Sequence, residues 1–427
     1  DPYIETKAQF GTYKAFIEQL DYVKELGVTH IQLLPVLNYY YGNELENGKR
    51  ELEYSAQNNN YNWGYDPHNY FTPEGMYSEN PADPELRIIE LKELIHAIHE
   101  RGMGVILDVV YNHTAKMGIF EDIIPGYYHF MNAEGIPKSS YGGGRLGSTH
   151  KMTRKLIIDS ITYWVDEYKV DGFRFDLMGD LDAETVQMAC DAAKALNPNV
   201  VIIGEGWITY AGDDGDRRTP ADQKWMHQTD SAACFSDEIR NEIKSGFGCE
   251  GEPRFITGGK RNILTIFANI KGKPSNMTAD DPGDVVQYIA AHDNLTLHDV
   301  IAYSIKKDPA VKKNEEEIHK RIRLGNAMVL TSQGIAFLHA GQEYGRTKQW
   351  LAPGTPEDKY TEVWGFKYPY FIHDSYDSSD AINKFDWRKV TTNGVHRKTL
   401  EFTKGLIALR RSTDAFRLGS ESLVNTN

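Results

Sequence analysis

Along the chain, short unbroken apolar runs alternate with segments whose apolar positions recur at helical spacing. The runs are GVTHIQLLPV (27–36), GVILDVVYN (104–112), VDGFRFDL (170–177), NVVIIGE (199–205), the weaker AACFSD (232–237), DVVQYIAAHDN (284–294) and GIAFLHAGQE (334–343). Helical patterns fall between or after them at 85–101, 153–168, 183–196, 316–332 and 399–412. Strands that are apolar throughout, instead of alternating, are buried on both faces, as in a parallel sheet covered by helices. The expected fold is α/β: a (β/α)8 TIM barrel catalytic domain over residues 1–411. Its first strand is not found in the chain, because residues 12–26 read as a helix. An open sheet of seven strands exposes unpaired backbone at its edges, so an upstream segment or second fragment is expected to complete it.

Two segments carry little periodicity. Residues 112–152, rich in Gly and Tyr and including YGGGRLG, read as an inserted subdomain. Residues 349–387, with YPYFIHDSYDSSD, follow the last strand and are expected to cover the pocket mouth. Residues 412–427 read as the start of a truncated C-terminal region.

Chemistry-bearing residues gather at the C-terminal ends of the runs: Asn112 and His113, Arg174 and Asp176, Glu205, His292 and Asp293, Gln342 and Glu343. In a β/α barrel that end carries the active site. A carboxylate on each of two neighbouring strands, ~4.8 Å apart, matches the ~5 Å separation of the pair in a retaining glycosidase. An aspartate alone after a strand usually caps a helix or forms a turn. Arg174, two positions before Asp176 and on the same face, sets Asp176 apart and is expected to hold it ionised. Glu205 lies between Gly204 and Gly206 and beside Trp207, which is expected to leave room for substrate and raise its pKa toward that of a general acid. His113 and His292 would singly be core or capping groups, but beside Asn112 and Asp293 they read as clamps for sugar hydroxyls. Asp293 is a third carboxylate, able to favour an oxocarbenium-like transition state; its plainer role is a cap on the following NLTLHD.

The bulk numbers remove other classes. A formal net charge of −14 repels a phosphate backbone, so nucleic acid is not an expected partner. No apolar stretch is long enough to span a membrane, and DPYIETKAQF lacks the basic start and apolar centre of a secretion signal. The three cysteines form no CxxC pair, so free thiols are expected, with Cys234–Cys249 the one bridge left open. The acidic loops AGDDGDRR and TADDPGD lack a complete oxygen-ligand pattern, and no metal is assigned. The 25 Tyr and 7 Trp suit stacking on sugar rings.

DVVYNHTA, GFRFDLMGD, GEGW and AAHDN stand in the order and approximate spacing of the four signature regions of the α-amylase superfamily, glycoside hydrolase family 13. YNWGYDP, followed by YFTPEGMYS, resembles the segment characteristic of type I pullulanases. LHAGQEYGRTK and DSSDAINKFDW are similar to the large cell-surface pullulanases of Gram-positive bacteria. The resemblance implies Asp176 as nucleophile, Glu205 as acid/base and Asp293 as transition-state stabiliser. It implies Arg174, His113 and His292 around the reacting sugar with Tyr65 stacked beneath it, and Asp66, Asn112, Trp207 and Asn294 as further substrate contacts. No organic cofactor is implied; calcium varies among members and is left unassigned. The implied reaction is retaining hydrolysis of α-1,6-glucosidic links in pullulan, glycogen or amylopectin fragments, outside the cell or at its surface. Alternatives are an α-1,4-active amylase or amylopullulanase, a glucan-branching transferase, and a catalytically silent α-glucan-binding protein.

Overall fold

A computed structural model describes residues 3–426. Seven parallel strands form one curled sheet: β1 (His30–Leu33), β2 (Gly104–Val109), β3 (Gly172–Phe175), β4 (Val201–Gly204), β5 (Ala233–Phe235), β6 (Val285–Gln287) and β7 (Ile335–Ala336). Each pairs with the next in chain order. Among the described residues no strand of this sheet precedes β1.

Parallel neighbours need long crossovers: α1 (Pro84–Glu100), α2 (Lys151–Tyr168) and α3 (Ala183–Leu196) link β1 to β4 in turn, α4 (Leu297–Ile305) and α5 (Lys312–Leu330) link β6 to β7, and α6 (Val395–Ser412) follows β7. Helix α1 starts where its sequence dictates: the Asp83 side chain accepts from the Glu85 N–H at 3.0 Å, and Pro84 fills the first helical position. Its Leu91, Leu94, Ile95 and Ile98, at 3- and 4-residue spacing, are all buried. They share one core with Val105 and Leu107 of β2 and with Ile157, Ile161 and Trp164 of α2.

The helix expected at 12–26 is two short helices, Tyr13–Ile17 and Leu20–Leu26. All three cysteines are free. Within 112–152 the chain folds back on itself: Ser139–Ser140 pairs with Gly143–Gly144, and the Leu146 N–H donates to the Asn112 carbonyl at 3.0 Å. A β-carbon on Gly143 would lie 1.9 Å from the Thr114 carbonyl oxygen, so the glycine run there serves close backbone approach. Within 349–387, Tyr360–Glu362 pairs with Tyr370–Ile372. The Tyr376 carbonyl accepts from the Trp63 N–H at 3.1 Å, tying this segment to the one carrying Tyr65.

Candidate active site

The ladder continues one residue beyond strands β3 and β4. The Asp176 N–H donates to the Val109 carbonyl at 2.9 Å, and the Glu205 N–H to the Phe175 carbonyl at 3.1 Å. With Phe175 opposite Gly204, the two carboxylates leave adjacent strand ends side by side. Between them sits the buried guanidinium of Arg174. Its Nη1 is 2.9 Å from Asp176 Oδ1 and 3.0 Å from Asp108 Oδ1, and its Nη2 is 2.8 Å from Glu205 Oε1. The planar fork of arginine is what lets one cation hold three carboxylates in fixed directions.

Burial is the largest influence on each of these carboxyls. It raises the pKa of Asp176 and of Glu205; Arg174 pulls both down, and the charge of Asp293 pushes both up. Asp108, fully buried, is pushed up to about 7 despite Arg174. Arg174 therefore favours the ionised Asp176, as expected, but burial outweighs it in the free site. For Glu205 the elevated pKa comes from burial and from neighbouring carboxylates.

The glycines beside Glu205 do not make room for substrate. A β-carbon on Gly204 would lie 2.6 Å from Met178 Sδ, and one on Gly206 would lie 2.2 Å from Cys234 Sγ. They let the strand end pack against the side chains beneath it. Leu177, directly after Asp176, has φ 37°, a left-handed conformation costly for a branched side chain. That turn aims its N–H at Glu205 Oε2, 3.1 Å away.

The remaining expected residues are placed as follows. His113 Nε2 lies 2.8 Å from the Tyr65 carbonyl, which can only accept, so the proton is on Nε2. Nδ1 then accepts from Asn112 Nδ2 at 2.8 Å, and burial, which lowers the His113 pKa, keeps the ring neutral. Asn112 also pulls the Asp176 pKa down. The Tyr65 hydroxyl donates to Asp108 Oδ2 at 2.6 Å, and its ring stacks on His292 at 5.0 Å. His292, held neutral by burial and Arg174 with its pKa lowered to about 3, has Nε2 3.4 Å from Asp293 Oδ2. Burial likewise raises the pKa of Asp293, against the pull of Arg174. Asp66 is half-buried and faces His113, and Trp207 packs beside Phe235 and Tyr288.

Asn294 works behind the site. Its N–H donates to Asp374 Oδ1 at 3.0 Å, and its carbonyl accepts from Lys348 Nζ at 2.8 Å. Burial lowers the Lys348 pKa to about 7. Gln342 and Glu343 do not join the cluster. Gln342 donates to Asn326 of α5 at 2.8 Å, and Glu343 accepts from the Tyr22 hydroxyl at 2.8 Å. The chain turns away after β7 at Gly341, φ 94°, so both side chains face the helices.

Sequence reading missed Asp108, Lys348, Asp374 and Arg240, which donates to the Tyr288 hydroxyl at 2.7 Å beside Trp207. Asp108 had a visible signal: a charge inside an otherwise apolar strand needs a buried partner.

The family model described as "Alpha amylase, catalytic domain" matches residues 5–132. Pullulanase A of Streptococcus pneumoniae serotype 2 is 62% identical across 96% of this chain and 34% of its own length. The chain belongs to the α-amylase family, glycoside hydrolase family 13. It spans about a third of that pneumococcal relative. The pullulanase of Bacillus subtilis is 34% identical across 94% of this chain and 51% of its own length. Among solved structures, the catalytic module of the multi-modular glycogen-degrading pneumococcal virulence factor SpuA, with an inhibitor, superposes with TM-score 0.97 at 59% identity. It covers 99% of this chain and 62% of that one. The Group B Streptococcus pullulanase SAP in complex with maltotetraose gives TM-score 0.96 at 60% identity, with 99% and 56% covered. In this sheet, β3 and β4 are the strands whose ends present Asp176 and Glu205.

Proposed function

We propose that the protein hydrolyses α-1,6-glucosidic links in pullulan, glycogen or related α-glucans with retention of anomeric configuration. The observation that carries the reading is the single Arg174 guanidinium reaching Asp176 and Glu205 at 2.9 and 2.8 Å on adjacent strand ends. Two carboxylates gripped by one fork on neighbouring strand ends suit the close pair, ~5–5.5 Å apart, that a retaining enzyme uses.

In the first step Asp176 attacks the anomeric carbon while Glu205 gives its proton to the departing oxygen. This forms a glycosyl ester on Asp176 and frees the hydroxyl end of the cut chain. In the second, Glu205 takes a proton from water, whose oxygen displaces Asp176. Asp293, with neutral His113 and His292, holds ring hydroxyls as positive charge develops. Tyr65 offers a ring already fixed by Asp108 and His292 for the sugar to rest on. Neither step as written uses a cofactor.

The α-1,6 preference rests on YNWGYDP and on the pullulanase relatives, and the resemblance to cell-surface enzymes supports a substrate outside the cell. Intact carboxylates argue against a silent glucan-binding protein. Incubation with pullulan is expected to release maltotriose, seen by chromatography, with amylose left uncut. Cleavage of amylose without maltotriose from pullulan would move the reading to an α-1,4 amylase.

A further inference from the structure

Away from the carboxylate cluster, three imidazoles converge on one carboxylate. His298 of α4, Glu315 and His319 of α5 offer ligand atoms all within 4.8 Å of one another, and His396 of α6 reaches the same carboxylate. His298 Nε2 is 2.9 Å from Glu315 Oε2; His319 Nε2 and His396 Nε2 are 3.3 and 3.6 Å from Oε1. We propose that these four residues form a binding site for a zinc-class divalent cation, which cross-links the three helices behind the loop carrying Asp293.

Donor geometry supports this. Four ligands ~2.0–2.1 Å from a tetrahedral zinc lie about 3.3–3.4 Å apart; the three imidazole–carboxylate pairs here span 2.9 to 3.6 Å, and the His298, Glu315 and His319 ligand atoms lie within 4.8 Å of one another. Each ring's other nitrogen is already anchored, as metal-bound histidines require. His298 Nδ1 lies 3.0 Å from Asp299 Oδ1, His319 Nδ1 is 2.8 Å from Thr399 Oγ1, and His396 Nδ1 is 2.8 Å from the Tyr344 carbonyl. Since that carbonyl can only accept, neutral His396 carries its proton on Nδ1. Its Nε2 lone pair then faces a carboxylate oxygen, an arrangement a shared cation resolves. His319 is fully buried, and its Nε2 has no hydrogen-bond partner.

A route in exists, because Glu315 and His396 keep 16% and 18% of their side chains exposed. Lys389 lies close enough to influence Glu315, His319 and His396, and is the cation that zinc would supplement. The cluster also joins the loop carrying Asp293 and Asn294. Asp299 accepts from the Lys348 N–H at 2.8 Å, and Lys348 Nζ holds the Asn294 carbonyl.

The test is zinc chloride titration of chelator-treated, dialysed protein, followed by calorimetry and thermal melting. One saturable equivalent per chain and a raised Tm are expected. Glu315→Gln, which keeps the shape but is a poor ligand, is expected to lose that equivalent, while Asp293→Asn keeps it. Absence of stoichiometric uptake, or equal uptake by the Glu315→Gln protein, overturns the proposal. X-ray absorption at the zinc edge of the parent protein needs no variant. Three imidazoles and one oxygen donor are expected, and a carboxylate-dominated shell would refute the site.

Discussion

Replacing Asp176 by Asn lowers kcat on pullulan by about 10⁴-fold or more, with KM changed little. The amide is nearly the same shape, and its oxygen can still accept from Arg174 Nη1, the contact now 2.9 Å long. What disappears is the nucleophile. The variant should therefore keep its Tm while losing the glycosyl-ester step. Removing this charge also removes an influence that raises the Glu205 pKa. A kcat within tenfold of the parent's, measured on folded protein by reducing-end release, would remove Asp176 from the reaction.

Glu205→Gln is expected to cost about 10²- to 10⁴-fold in kcat, the range for losing one general acid–base group, and far less in glucan affinity. The pH profile separates this from simple misplacement. Burial and the charges of Asp176 and Asp293 raise the Glu205 pKa above its ordinary value, so it keeps its proton to higher pH than a free glutamate. Loss of that proton removes the acid, so the alkaline fall of kcat/KM in the parent lies above the usual carboxyl range. In the Gln variant the group whose proton loss sets that limb is gone, and the alkaline limb should vanish. A persisting limb, or equal losses in kcat and affinity, would assign the acid elsewhere.

Much of this arrangement was legible because parallel β/α folds write themselves as continuous apolar runs, each ending where chemistry is presented. Asp176 and Glu205 emerge together because Phe175 lies opposite Gly204; strand order makes the two strands neighbours, and the ladder sets the register. Even AACFSD, a weak run, forms the short strand β5. Legibility failed where tertiary contacts decide. Lys348 and Asp374 lie in segments without periodicity, and they meet Asn294 only because the chain returns there. Gln342 and Glu343 looked like site residues because they follow an apolar run, but β7 has only two residues and the chain turns at Gly341. In sequence the glycines flanking Glu205 suggest openings, and only the positions of Met178 and Cys234 reveal them as packing necessities. The opposing pulls on Asp176 were also out of reach, since burial has no sequence signature as plain as a nearby arginine.

Proton NMR of pullulan during the first minutes of digestion bears most directly on the paired action of Asp176 and Glu205. The account predicts that the α-1,6 anomeric signal falls while the α-1,4 signal persists, and that newly released maltotriose appears first as its α-anomer before mutarotation. First appearance of the β-anomer would contradict it, because a single displacement by water would then have replaced the two-step exchange on Asp176.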